Sequence, residues 1–321
     1  MKITDGMLKA AHNALAQCMK VKEAESVLIV SNHEKQTVAD ALFQAAKNLN
    51  TEPYLLFYPA GKVNGEEPPA LVGEMMKKAD VVIAPTVVSV SHTDARRNAC
   101  ANGHTRIATL PGITDEIFER GLGSDYEEIA KLCRDIYDPL QNGKKARVTT
   151  AGGMDVELDI PNGAVICDGD ISAPGSFSNL PDGEVLVAPT SANGVIVADR
   201  CANLITEPTR ITVKDGYIVD IEDNESGRRF REMIEKTKIK DGNNNAEFIA
   251  EFAIGTNKKA KVTGVVLEDE KVYGTCHIAF GDNTSYPGGK NPSNWHMDVI
   301  IFKPTVHIDG QLIQQDGEIV V

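Results

Sequence analysis

The chain lacks paired cysteines. Its six, Cys18, Cys100, Cys133, Cys167, Cys201 and Cys276, stand far apart with no CxxC among them, which excludes a zinc knuckle and a disulfide framework. Scattered thiols of this kind fit a reducing compartment. No apolar run approaches the ~20 residues that a membrane-crossing helix needs. Residues 1–20 carry polar residues throughout and lack an apolar stretch of the kind that opens a secreted precursor, so a cytoplasmic protein is expected. Basic residues are outnumbered, 33 Lys and Arg against 46 Asp and Glu, for a net charge of −13. Nucleic-acid surfaces depend on clustered cations that release counterions, so none is expected here. No GxGxxG follows the first predicted strand, Gly288-Gly289-Lys290 follows no strand–loop–helix pattern, and no GxSxG is present. Dinucleotide binding, a phosphate loop and a serine nucleophile elbow are therefore unsupported. There is neither an internal repeat nor a low-complexity segment.

What is present is enough apolar material for two cores: 42% of 321 residues are hydrophobic, and that length suggests two domains. The first part alternates. Helical patterns at 7–19, 35–49, 68–78 and 91–102 separate short apolar runs at 26–30, 53–58, 81–85 and 106–110, with further helices to about 137. Short apolar runs between amphipathic helices predict parallel strands covered on both faces, a doubly wound, Rossmann-like α/β domain. The composition changes at 138–143, which places the boundary between residues 1–142 and residues 143–321. The second part predicts a β-rich α+β domain. Residues 154–160 alternate with period two, Asp215-Gly216 closes a hairpin, Asp309-Gly310 and Asp316-Gly317 make similar turns, and one helix spans 225–238.

Chemistry concentrates near the end of the chain. In Trp295-His296-Met297-Asp298, strand geometry makes His296 and Asp298 project together while Met297 turns away. His277 lies in a separate strand-like run, 272–280, and Cys276 should point opposite to it. If the two strands are neighbours, two imidazoles and a carboxylate converge as a divalent-metal set. Each histidine alone reads more readily as a hydrogen-bonded structural residue, and it is the spacing of the pair that turns the reading toward metal.

Several acids lie in apolar company. Glu184 follows the Pro181-Asp182-Gly183 turn at the head of an apolar strand, and Glu247 and Glu251 interrupt residues 246–255. Such carboxylates are either strand-end groups facing water or buried groups that must be paired or metal-bound. Glu268-Asp269-Glu270-Lys271 adds a further acidic position before the His277 strand. His92 reads as a residue capping or lining a helix start, and His12, His33, His104 and His307 have no partner pattern.

Together, Asn179-Leu180-Pro181-Asp182-Gly183-Glu184-Val185, Ala250-Glu251-Phe252-Ala253-Ile254-Gly255, Asp269-Glu270-Lys271, 275–281 and His296-Met297-Asp298 resemble the aminopeptidase T family of metalloaminopeptidases. The motifs cover the second domain; the first matches in its α/β plan and in 92–97. The resemblance implies Glu184, Glu251, His277, His296 and Asp298 as ligands of a dinuclear site, with Glu270 as a further acidic ligand and Tyr286 as the active-site tyrosine. It also implies two divalent ions (Zn, Co or Mn), a bridging water that attacks a peptide carbonyl, Glu184 as proton shuttle, a small peptide substrate and a homodimer. The chain looks shorter than the family's members, in its loops and first domain. The alternative is a sister group with the same architecture, which looks like the 2,5-dihydroxypyridine ring-cleaving dioxygenases and keeps a His and a His-x-Asp pair for one Fe(II). Those residues are His277, His296 and Asp298 here. The presence of Glu184 and Glu251 favours the peptidase. A metal-free binding or scaffold protein is the third reading.

Overall fold

The computed structural model describes residues 2–160 and 163–321. In chain order its strands are β1 (Ser26–Ser31), β2 (Glu52–Phe57), β3 (Val81–Thr86), β4 (Arg106–Pro111), β5 (Lys145–Thr149), β6 (Asp155–Asp159), β7 (Val165–Cys167), β8 (Phe177–Asn179) and β9 (Glu184–Val187). There follow β10 (Ser191–Ala198), β11 (Thr209–Lys214), β12 (Tyr217–Ile221), β13 (Ile249–Gly255), β14 (Thr275–Gly281), β15 (His296–Phe302), β16 (Thr305–Ile308), β17 (Gln311–Gln315) and β18 (Glu318–Ile319). The α-helices are α1 (Asp5–His12), α2 (Gln36–Asn48), α3 (Ala70–Met76), α4 (Asp94–Cys100), α5 (Asp115–Gly121), α6 (Tyr126–Asn142), α7 (Glu225–Asp241) and α8 (Val266–Asp269).

The chain divides into two compact units, Met1–Glu128 with Asp168–Asp182, and Ile129–Cys167 with Gly183–Val321. This partition differs from a single cut after residue 142. Most of α6 belongs with the second unit, where its buried residues Ile129, Cys133, Ile136 and Leu140 recur at helical spacing. Residues 168–182 return to the first unit because β8 joins its sheet.

The first unit holds a parallel sheet of order β2-β1-β3-β4-β8. Val27, Leu28, Ile29 and Val30 of β1 are all buried, as are Val81, Val82, Ile83 and Ala84 of β3. Burial at both parities is what covering both faces demands, and it explains why these strands read as continuous apolar runs. Leu28, Val30, Val82, Ala84 and Ile107 share one cluster with Val72 and Met76 of α3 and Ala99 of α4. Thr93, not His92, caps α4, its side chain accepting from the Arg96 N–H.

The second unit carries two antiparallel sheets. The larger runs β12-β11-β10-β6-β5-β16-β17-β18 and the smaller β15-β14-β13-β9-β7. Three Asp-Gly pairs turn the hairpins of the larger sheet, with φ of 51° and 86° at Asp215-Gly216, 48° and 87° at Asp309-Gly310, and 48° and 93° at Asp316-Gly317. Positive φ at both central residues matches the right-handed twist of the flanking strands, and Asp-Gly is suited to it. Helix α7 starts at the Asn224 cap and stops at Gly242, φ 69°. It lays Phe230 edge-on against Phe280 of β14, 6.3 Å between ring centroids, and against Trp295 at 5.7 Å. That covers one face of the smaller sheet. No helix among the described residues is long and apolar enough to cross a membrane.

Candidate metal centre

The opposite face of the smaller sheet is polar, and register explains why. Directly opposed residues of antiparallel strands point to the same face. Ala253 pairs with His277 and Glu251 with Ala279, Gly255 with Glu184, Ala279 with Asp298, and Gly281 with His296. Glu184 (β9), Glu251 (β13), His277 (β14), and His296 and Asp298 (β15) therefore project from one face across four adjacent strands. The residues between them on that face, Ala253, Gly255, Ala279 and Gly281, are small, so the floor is low and the long polar side chains close over it. On the other face Phe252, Ile254, Cys276, Ile278, Phe280, Val299 and Ile301 are fully buried.

The polar groups meet through short distances. His277 Nε2 lies 3.2 Å from Glu251 Oε1, 3.6 Å from Glu184 Oε2 and 3.9 Å from Asp298 Oδ1. His296 Nε2 lies 3.1 Å from Glu251 Oε2 and 3.3 Å from Asp298 Oδ1. Glu184, Glu251, His277 and Asp298 are buried, whereas the His296 side chain is 28% exposed and opens the centre to solvent. The water-facing alternative for Glu184 and Glu251 is thereby removed.

The acidic run 268–270 splits its work. Asp269 accepts from the Thr263 and Gly264 N–H groups, and Glu268 accepts from the Lys261 N–H, so these two pin a loop. Only Glu270 joins the centre, within ligand reach of His277 and Asp298. Glu247 stands apart, paired to Lys238 at 2.8 Å. Tyr286 meets His296 edge-on, 5.8 Å between centroids. Sequence reasoning missed Lys271. Its ammonium is buried, 2.5 Å from Glu184 Oε1 and 2.9 Å from Glu270 Oε1. A lysine after three acids reads as a solvated charge, and the only signal against that was the apolar strand following it.

The crowding shows in the proton affinities. Burial pushes the Glu184 carboxyl up to about 8 despite the Lys271 ammonium beside it. Burial acts against protonation of His277, but its bond to Glu251 and the neighbouring carboxylates win and lift it to about 9. His296 is likewise raised, its burial outweighed by Asp298 and Glu251. Burial is the largest influence on Glu251 too, yet the two imidazoles hold it below the usual carboxylate range. Burial and then the Glu251 and Asp298 carboxylates keep the Tyr286 phenol protonated. Protons shared among acids and imidazoles at this range are what a divalent cation displaces.

The donor chemistry fits such a cation. Glu184 Oε2, His277 Nδ1 and Asp298 Oδ1 are buried with no hydrogen-bond partner among the described residues, and buried polar atoms are ordinarily satisfied. Three overlapping donor groups can hold an ion: Glu184, Glu251 and His277; Glu251, His296 and Asp298; Glu270, His277 and Asp298. Beyond the donors, His296 Nδ1 donates to the Asp282 carbonyl at 2.7 Å, which leaves Nε2 as its ligand atom.

An α/β unit and antiparallel sheets, with two imidazoles and acids converging on one sheet face, place the chain in the class of mixed α/β proteins with a candidate metal centre. Within it, the chain belongs to the NicX family, described as 2,5-dihydroxypyridine 5,6-dioxygenase, whose family model matches residues 6–321. Among solved structures, the 2,5-dihydroxypyridine dioxygenase from Pseudomonas putida KT2440 is similar over 100% of this chain and 99% of its own, at 18% identity and a TM-score of 0.82. Wild-type AmpT from Thermus thermophilus shares the fold over 98% of this chain and 99% of its own, at 16% identity and a TM-score of 0.72. No curated protein sequence matches.

The family match overturns the aminopeptidase, hydrolase and metalloprotease reading of the motifs. The sequence argument gave weight to Glu184 and Glu251 as marks of a dinuclear peptidase. Both acids lie on the sheet face that carries the histidines, so their presence does not separate the two chemistries.

Proposed function

We propose that this chain is a mononuclear Fe(II) dioxygenase that opens a hydroxylated N-heteroaromatic ring of the 2,5-dihydroxypyridine type. The observation that carries the proposal is Asp298 Oδ1, a buried oxygen without a hydrogen bond that faces the Nε2 atoms of both His296 and His277 at 3.3 and 3.9 Å. Two imidazoles and one carboxylate on adjacent strands form the facial set that non-haem iron oxygenases use, leaving positions open for oxygen and substrate. Family membership over residues 6–321 supports the same chemistry. It replaces the two zinc, cobalt or manganese ions that the peptidase reading required.

His277, His296 and Asp298 would hold the iron. Fe(II), when bound, supplies the one-electron chemistry through which O2 can react with a closed-shell aromatic ring. The protein's own groups then bind and position. Glu251, hydrogen-bonded to His277 Nε2 and 3.1 Å from His296 Nε2, would hold both rings in place before the metal enters and border the metal afterwards. Glu184 Oε2, free of hydrogen bonds and 3.6 Å from His277 Nε2, would take a proton from a ring hydroxyl once a bound cation had displaced the proton that burial leaves on this carboxyl. Tyr286, protonated and beside the solvent-open edge of His296, can donate to a ring substituent. The apolar packing behind the sheet keeps water away from its far face.

The test is direct. Protein loaded with Fe(II) under anaerobic conditions and then mixed with 2,5-dihydroxypyridine and O2 should consume one O2 per ring lost, read by an oxygen electrode and by loss of the ring's ultraviolet absorbance. Absence of oxygen uptake together with release of amino acids from aminoacyl anilides by the zinc, cobalt or manganese form would overturn the proposal.

A further inference from the structure

Lys271 is buried among the donors, yet an ammonium cannot ligate a metal. Its side chain is 4% exposed and that of its partner Glu184 5%, and lysine is almost never buried unless paired. The backbone holds it in place: its N–H donates to the Glu268 carbonyl at 3.0 Å, and its own carbonyl accepts from Asn257 N–H at 2.8 Å. The preceding turn is in turn pinned by Asp269 and Glu268 to residues 261–264.

Both carboxylates that bind the ammonium also border the imidazole of His277. Glu184 gives Oε1 to Lys271 at 2.5 Å and turns Oε2 to His277 Nε2 at 3.6 Å. Glu270 gives Oε1 to Lys271 at 2.9 Å and lies in ligand reach of His277 and Asp298. Each acid therefore bridges the histidine-bound position and a second cationic position. Bridging of this kind holds the paired ions of two-metal centres at about 3.5–4 Å from one another. Here the second position is filled by a charge on the chain itself. A divalent ion placed there would have to take both carboxylates from Lys271 and set its own charge against a buried ammonium, which is strongly unfavourable.

We infer that the Lys271 ammonium stands in for a second divalent cation and limits this centre to one metal ion. The inference rests on the metal site proposed above, and it makes Lys271 the residue that sets the metal count on a fold that also serves AmpT.

Mn²⁺ titrated into metal-free protein tests it, with bound ions counted by calorimetry and elemental analysis and their coupling read by electron paramagnetic resonance. Wild type is expected to bind one ion per chain with the signal of an isolated Mn²⁺. K271M, which keeps the apolar stem and removes the charge, is expected to bind two ions with an exchange-coupled spectrum. K271R, which keeps the charge, is expected to stay at one. Two ions in wild type or in K271R would overturn the inference. One ion in K271M, folded by circular dichroism, would also overturn it while leaving the mononuclear site standing. No ion in wild type would remove the metal reading itself, and the inference with it. Should K271M not fold, K271Q read in the same way decides the matter, again between one ion and two.

Discussion

His296 Nδ1 donates to the backbone carbonyl of Asp282 at 2.7 Å, and this single bond decides which nitrogen of the ring faces the donor cluster. A carbonyl can only accept, so Nδ1 keeps its proton in either charge state, and Nε2, 3.3 Å from Asp298 Oδ1, is the nitrogen whose proton a cation would displace. H296A removes both the ligand atom and its anchor. Metal affinity is expected to fall by more than the ~10–100-fold that loss of an outer hydrogen bond alone costs. Iron content after anaerobic loading and desalting, compared with wild type, checks it; equal content would show that His296 is not a ligand.

Ala279 lies opposite both Glu251 and Asp298 in register and is fully buried. Its methyl forms part of the floor beneath the converging side chains. A279V adds two methyl groups to this buried floor, an overpacking expected to lower the melting temperature of the metal-free protein, since such insertions cost about 1–3 kcal/mol. The thermal stabilisation that added metal confers is expected to shrink as well, because ligand stabilisation of the native state rises with the logarithm of affinity. Loss of metal affinity of at least ~10-fold is anticipated. Melting curves with and without Mn²⁺ measure both quantities.

Much of this centre was legible because strand geometry is local. The i, i+2 relation of His296 and Asp298 needs no knowledge of the fold, and Cys276 on the face away from His277 follows from the same rule. The small residues on the polar face and the convergence of four strands depend on register, which is not local. The sorting of Glu268, Asp269 and Glu270 depends on a four-residue helix, α8, too short to leave a periodic signal. Lys271 was invisible for the opposite reason: charge beside charge in sequence reads as a wet surface. The α/β alternation of the first part was plain, because parallel strands buried on both faces are uniformly apolar. The return of 168–182 was not, since β8 contributes only Phe177-Ser178-Asn179 and carries no period. The reaction type was the least legible element, because one sheet face supplies donors for either chemistry.

Phe230 connects α7 to the back of the sheet that carries the candidate metal centre. It is fully buried and packs on Phe280 and Trp295, and Trp295 immediately precedes His296. F230A leaves a cavity at that junction, with an expected destabilisation of about 3–5 kcal/mol. Urea unfolding followed by Trp295 fluorescence reads it, since this is the only tryptophan in the chain. Because the cavity lies behind the ligand strand, metal affinity should fall with stability. A variant as stable as wild type would mean that α7 does not support the sheet.

Glu25 and Arg106 of the first unit form an enclosed ion pair, 2.6 Å apart with side chains 18% and 6% exposed. Arg106 also donates to the carbonyls of Met19 and Lys20, so its charge is held by three residues at once. Burial alone would raise the Glu25 carboxyl, but its bonds to Arg106 and to the Lys22 N–H prevail and lower it from 4.5. A carboxyl with a native pKa below its unfolded value binds fewer protons folded than unfolded at intermediate pH. Its stabilisation is therefore complete above about 4.5 and is lost as pH falls through the lowered native value. E25Q should be less stable than wild type at pH 7 by about 1.5–3 kcal/mol, the usual range for a hydrogen bond to a charged group. The difference should hold constant down to pH 5 and close as the pH drops further. Denaturant midpoints for both proteins across that range provide the measurement. A gap that persists unchanged at the acid end would mean that the carboxylate charge contributes nothing and that only the shape of the side chain matters at this position.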